Sequence, residues 1–506
     1  MLMASSTAVV ASVGAPLVPR IAAEQGVSLA GAQWILTVTF LSGAVTTPLL
    51  GRLGSGPGRR PVVLGGLAAV LVGCVLAAVP LGFGPMVAGR ALQGLGLAVT
   101  PLAIAVARDV VPASRRPAVI AGLSVTTVAG AGLGYPIASL VVDRYGVSAA
   151  YWTGAVITAV TLACVAVVLP TGTRAQPGRT DVPGAILLAA GSGGLLLALS
   201  RANAWGPTSA VTLGVLAGSV LALVAWTRWT LGFERRPDRQ PLVDLRLALR
   251  PGVVGPNATA LVAGCGMYML ITLVVLAVQA PVSSGYGLGH DVTVAGVMLL
   301  PFSVASVLGS RLAGRRTGAA SGDALLAVGC ALFALGALVL AAVHDHLWGN
   351  VLAMSVGGLG SGCSFAAMPS LMMRFVPPSE TGSAMAFNQI LRYLGFSAGS
   401  ALVVTILDVA SDGGGTVTSS GFVTAAMAAV LVASVAAVVA VWSGRAVPSP
   451  AEALLSHPHP KEHSLVPTPH HPGPRADRRR RRVRRTGPGP RRLWRRQQWI
   501  RSLRRP

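Results

Sequence analysis

Long apolar runs without a charged residue constrain this chain more than any other feature of its sequence. Such runs lie at 62–80, 183–200, 209–227, 258–280, 324–343 and 419–442. About 20 apolar residues in helical conformation cross the hydrocarbon layer of a membrane. Membrane-spanning strands would alternate polar with apolar residues, which these runs do not. Because 53% of the residues are hydrophobic and only 11% are charged, the sequence predicts an all-α polytopic membrane protein.

Fourteen transmembrane segments are predicted along the chain. The first segment is short and contains Pro16 and Pro19 near its far end. The segments are 3–19, 33–51, 62–80, 86–106, 118–141, 150–170, 183–200, 209–227, 258–280, 292–310, 324–343, 350–372, 385–407 and 419–442.

The arginines between these segments indicate the orientation of the chain. Loops after even-numbered segments hold eighteen arginines, whereas loops after odd-numbered segments hold three, Arg20, Arg144 and Arg201. Basic residues are retained on the cytoplasmic side of a membrane. We therefore expect a multi-pass protein of the cell (inner or plasma) membrane with both termini in the cytoplasm.

The composition divides the chain into four parts. Residues 1–182 and 251–443 are predicted to form two six-helix bundles, and 183–250 to hold two inserted transmembrane helices and a cytoplasmic loop. Residues 444–506 are predicted to be a disordered, arginine-rich cytoplasmic tail. Such a tail is attracted to anionic lipids. A solvated extension without a partner is the simpler alternative, and we do not expect nucleic-acid binding.

The loop between the second and third segments reads GRLGSGPGRRP at 51–61. It resembles the loop signature of the major facilitator superfamily, G-x-L-x-D-x-x-G-R-[KR], and Gly51, Gly58, Arg59 and Arg60 match it. Ser55 stands where the family has an aspartate that pairs with an arginine across the two halves of the fold. A tight basic loop without a switching role is therefore the alternative interpretation.

The fourth segment carries an arginine, which is costly within a membrane unless it faces a polar cavity or a partner. VAGRALQGLG at 87–96 resembles the family signature R-x-x-Q-G-x-G, with Arg90, Gln93 and Gly94 in register. Gln93 shares the helix face of Arg90. We interpret the pair as functional; the alternative is an arginine that extends to the membrane surface.

The fifth segment contains GAGLGYP at 130–136. This stretch resembles the G-x-x-x-G-P element of the drug-exporting antiporters in the same superfamily. Gly130 and Gly134 form a small face that lets another helix approach closely, and Pro136 bends the helix. A generic helix-packing face is the alternative interpretation.

The thirteenth segment contains AFNQILRYLGFSAG at 386–399. It resembles the N-x-x-x-R-x-x-G pattern of the fourteen-span drug:proton antiporters. Asn388 and Arg392 lie four residues apart and share a helix face. The pair can line a cavity or make a hydrogen bond between helices.

These resemblances imply a major facilitator fold, with two six-helix halves and two inserted central helices. They also imply a secondary active exporter of drugs, antibiotics or other small amphipathic molecules. Such transporters bind substrate between the halves near the midplane of the membrane. Aromatic side chains are candidates for the cavity because they adapt to varied apolar ligands. The candidates are Trp34, Tyr135, Tyr268, Phe302 and Tyr393.

Proton coupling usually needs a carboxylate inside the membrane, yet no acidic residue lies deep in a predicted segment. The first explanation is that Asp143, shielded near an aqueous funnel at the outer end of the fifth segment, binds the proton. The second is that an anionic substrate pairs with Arg90 and Arg392 and competes with protons. The third is that coupling has been lost. We prefer Asp143.

Other functional classes leave no signature in the sequence. There is no nucleotide-binding P-loop and no HExxH spacing of a metalloprotease. We therefore expect a monomeric transporter of a small molecule, not an enzyme, with no metal or other cofactor. A transporter of one specific metabolite, and a non-transporting sensor of the same fold, are the alternatives.

Overall fold

The structure, a computed structural model, describes most of the chain up to Arg445. The described residues are 2–53, 59–99, 102–103, 111–112, 116–169, 181–206, 208–233, 245–250, 252–315, 319–372, 374–376, 381–411 and 417–445. The chain divides into two compact units, Met1–Pro448 and Ser449–Pro506. The second unit lies outside the described residues, so the disordered tail stays a prediction.

The described residues are almost entirely helical. Their only extended pairing is an isolated bridge between Ser411 and Val417. The helices of the first part are α1 (Leu2–Ser12), α2 (Val18–Gln25), α3 (Leu29–Ala32), α4 (Trp34–Leu53), α5 (Arg59–Ala78), α6 (Phe83–Gly94) and α7 (Arg116–Val168).

The second part of the chain continues the same all-helical architecture. An inserted pair comes first, and the helices of the second half follow it. They are α8 (Val182–Trp205), α9 (Ala210–Phe233), α10 (Leu245–Ala248), α11 (Val254–Gln279), α12 (Val292–Arg315), α13 (Ala319–Val343), α14 (Leu347–Met372), α15 (Thr381–Val409) and α16 (Ser419–Arg445).

The predicted all-α membrane fold is confirmed. Each of the fourteen predicted segments overlaps a described helix. Ten helical stretches in the described part of the chain are long and apolar enough to cross a membrane. The count of fourteen transmembrane helices stays a prediction.

Three predicted segments differ from separate, straight helices. The segment 3–19 is broken: α1 ends at Ser12, and a short 3₁₀ turn at Ala15–Leu17 separates it from α2. Pro16 lacks the N–H that a continuous helix needs. The segments 118–141 and 150–170 are joined in α7, which changes direction at Gly146, where φ is 79°. Glycine adopts this positive φ without steric cost.

Helix α11 occupies the interior of the membrane unit. Almost every residue along it is buried, whereas membrane-facing helices such as α9 are largely exposed. It packs against α15 and α16 of its own half. The two halves meet where α4 packs on α15 and where α7 packs on α12. The inserted helix α8 contacts both α4 and α15, so it also bridges the halves.

Small residues determine how closely neighbouring helices approach. Where α5 crosses α6, a Cβ atom on Gly73 would lie 2.5 Å from the carbonyl oxygen of Gly89. A Cβ atom on Gly89 would in turn lie 2.6 Å from the carbonyl oxygen of Gly73. By contrast, a Cβ atom on Gly65, also in α5, would meet nothing within 4 Å. Close backbone contact of this kind is a principal source of helix association in membranes.

This packing predicts different effects for two substitutions in α5. Gly73→Val should destabilise the protein by about 1–3 kcal/mol, because the added methyl groups overpack the contact with Gly89. Gly65→Val is the matched control and should leave stability unchanged. Thermal unfolding of the detergent-solubilised protein, followed by size-exclusion chromatography, measures both. Equal melting temperatures for the two variants would contradict the packing described here.

Candidate functional site

Arg90 lies on α6 and is completely buried, with 0% of its surface exposed. Its Nη1 and Nη2 atoms donate to the carbonyl oxygens of Val10 and Ala11 at 3.4 and 3.5 Å. Its Nε atom donates to the carbonyl oxygen of Ile35 at 3.3 Å. Among the described residues, no carboxylate forms an ion pair with it.

The break in the first segment explains how this charge is compensated. Val10 and Ala11 belong to the last turn of α1, where carbonyl groups lack partners within the helix. The C-terminal end of a helix also carries partial negative charge, which favours a nearby cation. Gly14 makes room for the guanidinium, since a Cβ atom there would lie 2.5 Å from Nη2. The end of α1 therefore takes the place of an acidic partner.

Gln93 extends the network of Arg90 as the shared helix face implies. Arg90 Nη1 donates to Gln93 Oε1 at 2.7 Å, and Gln93 Nε2 donates to the carbonyl oxygen of Gly73 on α5 at 3.1 Å. The Arg90 Cζ atom lies 6.0 Å from the centre of the Tyr151 ring on α7. A side chain on Gly94 would collide with the backbone of Thr39 on α4. Arg90 thus connects the helices of the first half instead of facing a cavity.

Four aromatic rings meet between the two halves. Phe40 on α4 lies 4.8 Å from Tyr268 on α11 and 5.5 Å from Phe396 on α15, measured between ring centroids. Tyr393 stacks 6.2 Å from Phe40. Tyr135 on α7 joins them, because its buried hydroxyl lies close enough to that of Tyr268 for the two to interact electrostatically. We call Phe40, Tyr135, Tyr268, Tyr393 and Phe396 the central aromatic cluster.

Three of the five predicted cavity aromatics belong to this cluster, and two do not. Trp34 lies at the start of α4, and its buried Nε1 has no hydrogen-bond partner. Phe302 packs on α14, where its backbone is close to Gly358. Within the described part of the chain, no ring pair connects either side chain to the cluster. Phe40 and Phe396 were not among the predicted cavity residues.

Asn388 and Arg392 lie one turn apart on α15 but have different surroundings. Asn388 Nδ2 donates to the carbonyl oxygen of Pro256 and to Asn257 Oδ1 on α11, each at 3.2 Å. This is a hydrogen bond between helices. Arg392 is partly exposed, and its Cζ atom lies 4.5 Å from the centre of the Phe365 ring on α14. No hydrogen bond between described residues joins Asn388 to the guanidinium.

The other residues of the family signatures differ in their contacts, and some of them lie outside the described residues. Arg60 Nη2 donates to the carbonyl oxygen of Ala166 at 2.8 Å, in the last turn of α7, where a cation is favoured. A side chain on Gly134 would collide with Ser12 on α1, so this glycine does allow close helix packing. Pro136 lies inside α7, and Arg59 is half-buried at the start of α5. Ser55 and Gly58, and the surroundings of Gly51 and Gly130, lie outside the described residues.

None of the acidic residues that the structure describes provides a carboxylate at the cluster. Asp143 is exposed near the end of the first arm of α7, which is not the shielded position expected for it. The kink at Gly146 follows directly and ends that arm at the protein surface. Asp181 is 1% exposed, and its Oδ1 accepts hydrogen bonds from the Gly184 N–H and from Trp229 Nε1, both at 2.9 Å. This buried acid joins α8 to α9 and was missed because Trp229 is far along the sequence.

The halves are closed together on the side predicted to be extracellular. Gln33 Nε2 donates to the carbonyl oxygen of Ser400 at 3.4 Å, and Gln279 Nε2 donates to that of Pro16 at 3.0 Å. Each bond joins one half to the other. The cavity next to Tyr268 on this side has a volume of only about 10 Å³, enough for a single water molecule. We call these two hydrogen bonds the amide closure.

Substitutions at Arg90 and at its neighbour Tyr151 test the contacts described for the first half. Arg90→Lys should destabilise the protein by about 1–3 kcal/mol, because lysine lacks the forked donors that reach the three carbonyl groups. Tyr151→Phe should be neutral or stabilising, because the buried Tyr151 hydroxyl has no hydrogen-bond partner. Thermal unfolding in detergent measures both effects. An Arg90→Lys variant as stable as the wild type would contradict these contacts.

The sequence is similar to those of known transporters. Residues 1–400 match the sequence profile of the Major Facilitator Superfamily. A Streptomyces coelicolor protein described as "Probable actinorhodin transporter" is 29% identical over 401 residues, covering 77% of this chain and 68% of that protein. A triacylglyceride transporter of Mycolicibacterium hassiacum is 28% identical, with 72% and 70% covered. A cephamycin export protein of Amycolatopsis lactamdurans is 27% identical, with 78% and 81% covered.

Solved structures support the fold. The POT family transporter PepTSo superposes with a TM-score of 0.60 at 14% sequence identity, covering 88% of this chain and 98% of that one. At this identity the similarity concerns the fold alone. Together with the sequence match, it confirms the predicted superfamily. The chain belongs to the Major Facilitator Superfamily and is a membrane transporter of that type.

Proposed function

We propose that this transporter is a secondary active exporter of small amphipathic molecules, driven by the proton gradient. The central aromatic cluster is the observation that carries the proposal. It is formed by side chains from both halves, and its Phe396 lies one helical turn from Ser400 of the amide closure. Aromatic rings offer large apolar surfaces that accommodate ligands of varied shape.

The position of the cluster suits alternating access. Rings on α4 and α7 come from one half, and rings on α11 and α15 come from the other. A substrate between them would therefore separate the same contacts that close the protein. Two of the relatives carry the names of antibiotics in their descriptions, which supports export of natural products. The triacylglyceride transporters favour the second candidate, a transporter of one specific apolar metabolite.

For coupling, we propose Asp143 as the proton-binding group. It lies one turn beyond Ser139, whose carbonyl oxygen accepts a hydrogen bond from Thr293 on α12 at 3.4 Å. Gly296 on α12 packs against the same serine. Separation of α7 from α12 would therefore change the surroundings of Asp143. A protonation site coupled to transport needs such a difference between two states.

We also propose a cellular location for the protein and a role for its tail. The protein acts as a monomer in the cell membrane, with both termini in the cytoplasm. Its tail, residues 444–506, binds anionic lipids through its arginines. The arginine-rich loops support this orientation.

Efflux from cells of a drug-sensitive bacterium tests the proposed function. Cells that express the transporter should export aromatic dyes, and a protonophore should abolish the export. Efflux that persists with the protonophore would contradict proton coupling. The absence of efflux for every dye, from protein shown to be in the membrane, would favour the specific-metabolite or sensor interpretation.

A substitution tests the coupling residue separately. Asp143→Asn should lower proton-driven efflux by roughly an order of magnitude, because the amide cannot bind the transported proton. Asp345→Asn is the control, since Asp345 is an exposed acid on the same predicted side and away from the contact between α7 and α12. Wild-type efflux by the Asp143→Asn variant would remove Asp143 from the mechanism.

A further inference from the structure

Arg90 and Arg392 lie well inside membrane-spanning helices, and only Arg90 is fully engaged by the described residues. All three nitrogen atoms of the Arg90 guanidinium donate hydrogen bonds, and the side chain is 0% exposed. Arg392 makes no hydrogen bond and no ion pair with any described residue. Its described contact is the face of the Phe365 ring, 4.5 Å from Cζ. Arg392 therefore has donors and a positive charge for which no described residue is a hydrogen-bonding or anionic partner.

An uncompensated cation in the middle of a membrane helix is unfavourable unless water or an anion reaches it. Arg392 lies near the middle of α15 and remains partly exposed. A cation–π contact with Phe365 lowers the cost without using a hydrogen-bond acceptor. The N–H groups of Arg392 have no acceptor among the described residues, and the side chain is partly exposed. Arginine donors in this arrangement match a carboxylate or a similar planar anion.

The guanidinium is continuous with the central aromatic cluster. The Arg392 guanidinium lies over the Phe365 ring. That ring lies 6.3 Å from the Phe396 ring of the cluster, measured between centroids, in an edge-on arrangement. Tyr393, the next residue along α15, belongs to the cluster as well. A ligand with its acidic group on Arg392 would therefore place an attached ring against the aromatic side chains. The charge and the apolar surface are parts of one site.

We infer that Arg392 is the recognition point for the acidic group of the substrate, and that the transported class is anionic aromatic molecules. This inference rests on the proposed function and specifies the substrate class at the same site. Arg90 has no part in it, because the end of α1 already engages its donors. An acidic group on a planar ring would bind the donors of Arg392 while the ring packs against the central aromatic cluster. A cationic substrate would be repelled.

Dye binding to purified protein in nanodiscs of neutral lipid tests this inference. Fluorescein is the anionic aromatic probe, ethidium is a cationic probe of similar size and planarity, and fluorescence anisotropy reports binding. Arg392→Gln should weaken fluorescein binding by about tenfold or more, the effect of losing a charged hydrogen-bonding partner. Ethidium binding should stay the same or strengthen. Arg392→Lys should fall between the two, because it keeps the charge and loses the planar donors.

Controls separate recognition from folding. Arg228→Gln removes an exposed arginine on α9 and should leave fluorescein binding unchanged. The melting temperature of each variant shows whether it is folded. Adding anionic phospholipid should compete only weakly; strong competition would assign the donors to a lipid phosphate and overturn the inference.

The inference is overturned if Arg392→Gln binds fluorescein as the wild type does, or if the folded variant loses both dyes equally. It is also overturned if the wild type binds ethidium in preference to fluorescein, or binds neither dye. Failure of the proposed function looks different. In that case fluorescein binds in an Arg392-dependent way, yet membrane vesicles that contain the wild type do not move it.

Discussion

A positive charge inside the hydrocarbon layer must be compensated, and Arg90 and Arg392 are compensated in different ways. Arg90 uses the free carbonyl groups at the end of α1, which exist because the helix stops at Ser12. Arg392 rests on an aromatic ring and leaves its donors unused. The first arrangement fixes the helices of one half relative to each other. The second leaves a charge at the place where the halves meet.

The two halves are joined by contacts that are weak enough to exchange. Aromatic rings, two amide–carbonyl hydrogen bonds and the hydrogen bond from Thr293 to Ser139 connect them, and no ion pair between described residues crosses the interface. Neutral hydrogen bonds of this kind contribute about 0.5–1.5 kcal/mol each. Substrate contacts can therefore replace them without a large barrier. The inserted helix α8, which touches both halves, is held to α9 by the buried Asp181.

Much of the fold could be predicted from the sequence, because membrane helices need long apolar runs whatever their partners are. The shared face of Arg90 and Gln93 also followed from helical spacing, and the two side chains form a hydrogen bond. The partners of Arg90 could not be predicted, since they are backbone carbonyls exposed by a helix break. Phe40 and Phe396 were missed because aromatic residues in apolar segments look alike in sequence. Only the packing of α4, α11 and α15 brings these rings together.

The central claim is that the halves separate at the central aromatic cluster during transport, and cross-linking the amide closure tests it most directly. Gln33 and Ser400 are changed to cysteine in a background where the exposed Cys164 is serine, and a short bifunctional thiol reagent joins them. The account predicts that efflux stops on cross-linking and returns when a reducing agent cleaves the linker. Efflux at the wild-type rate by fully cross-linked protein would contradict it.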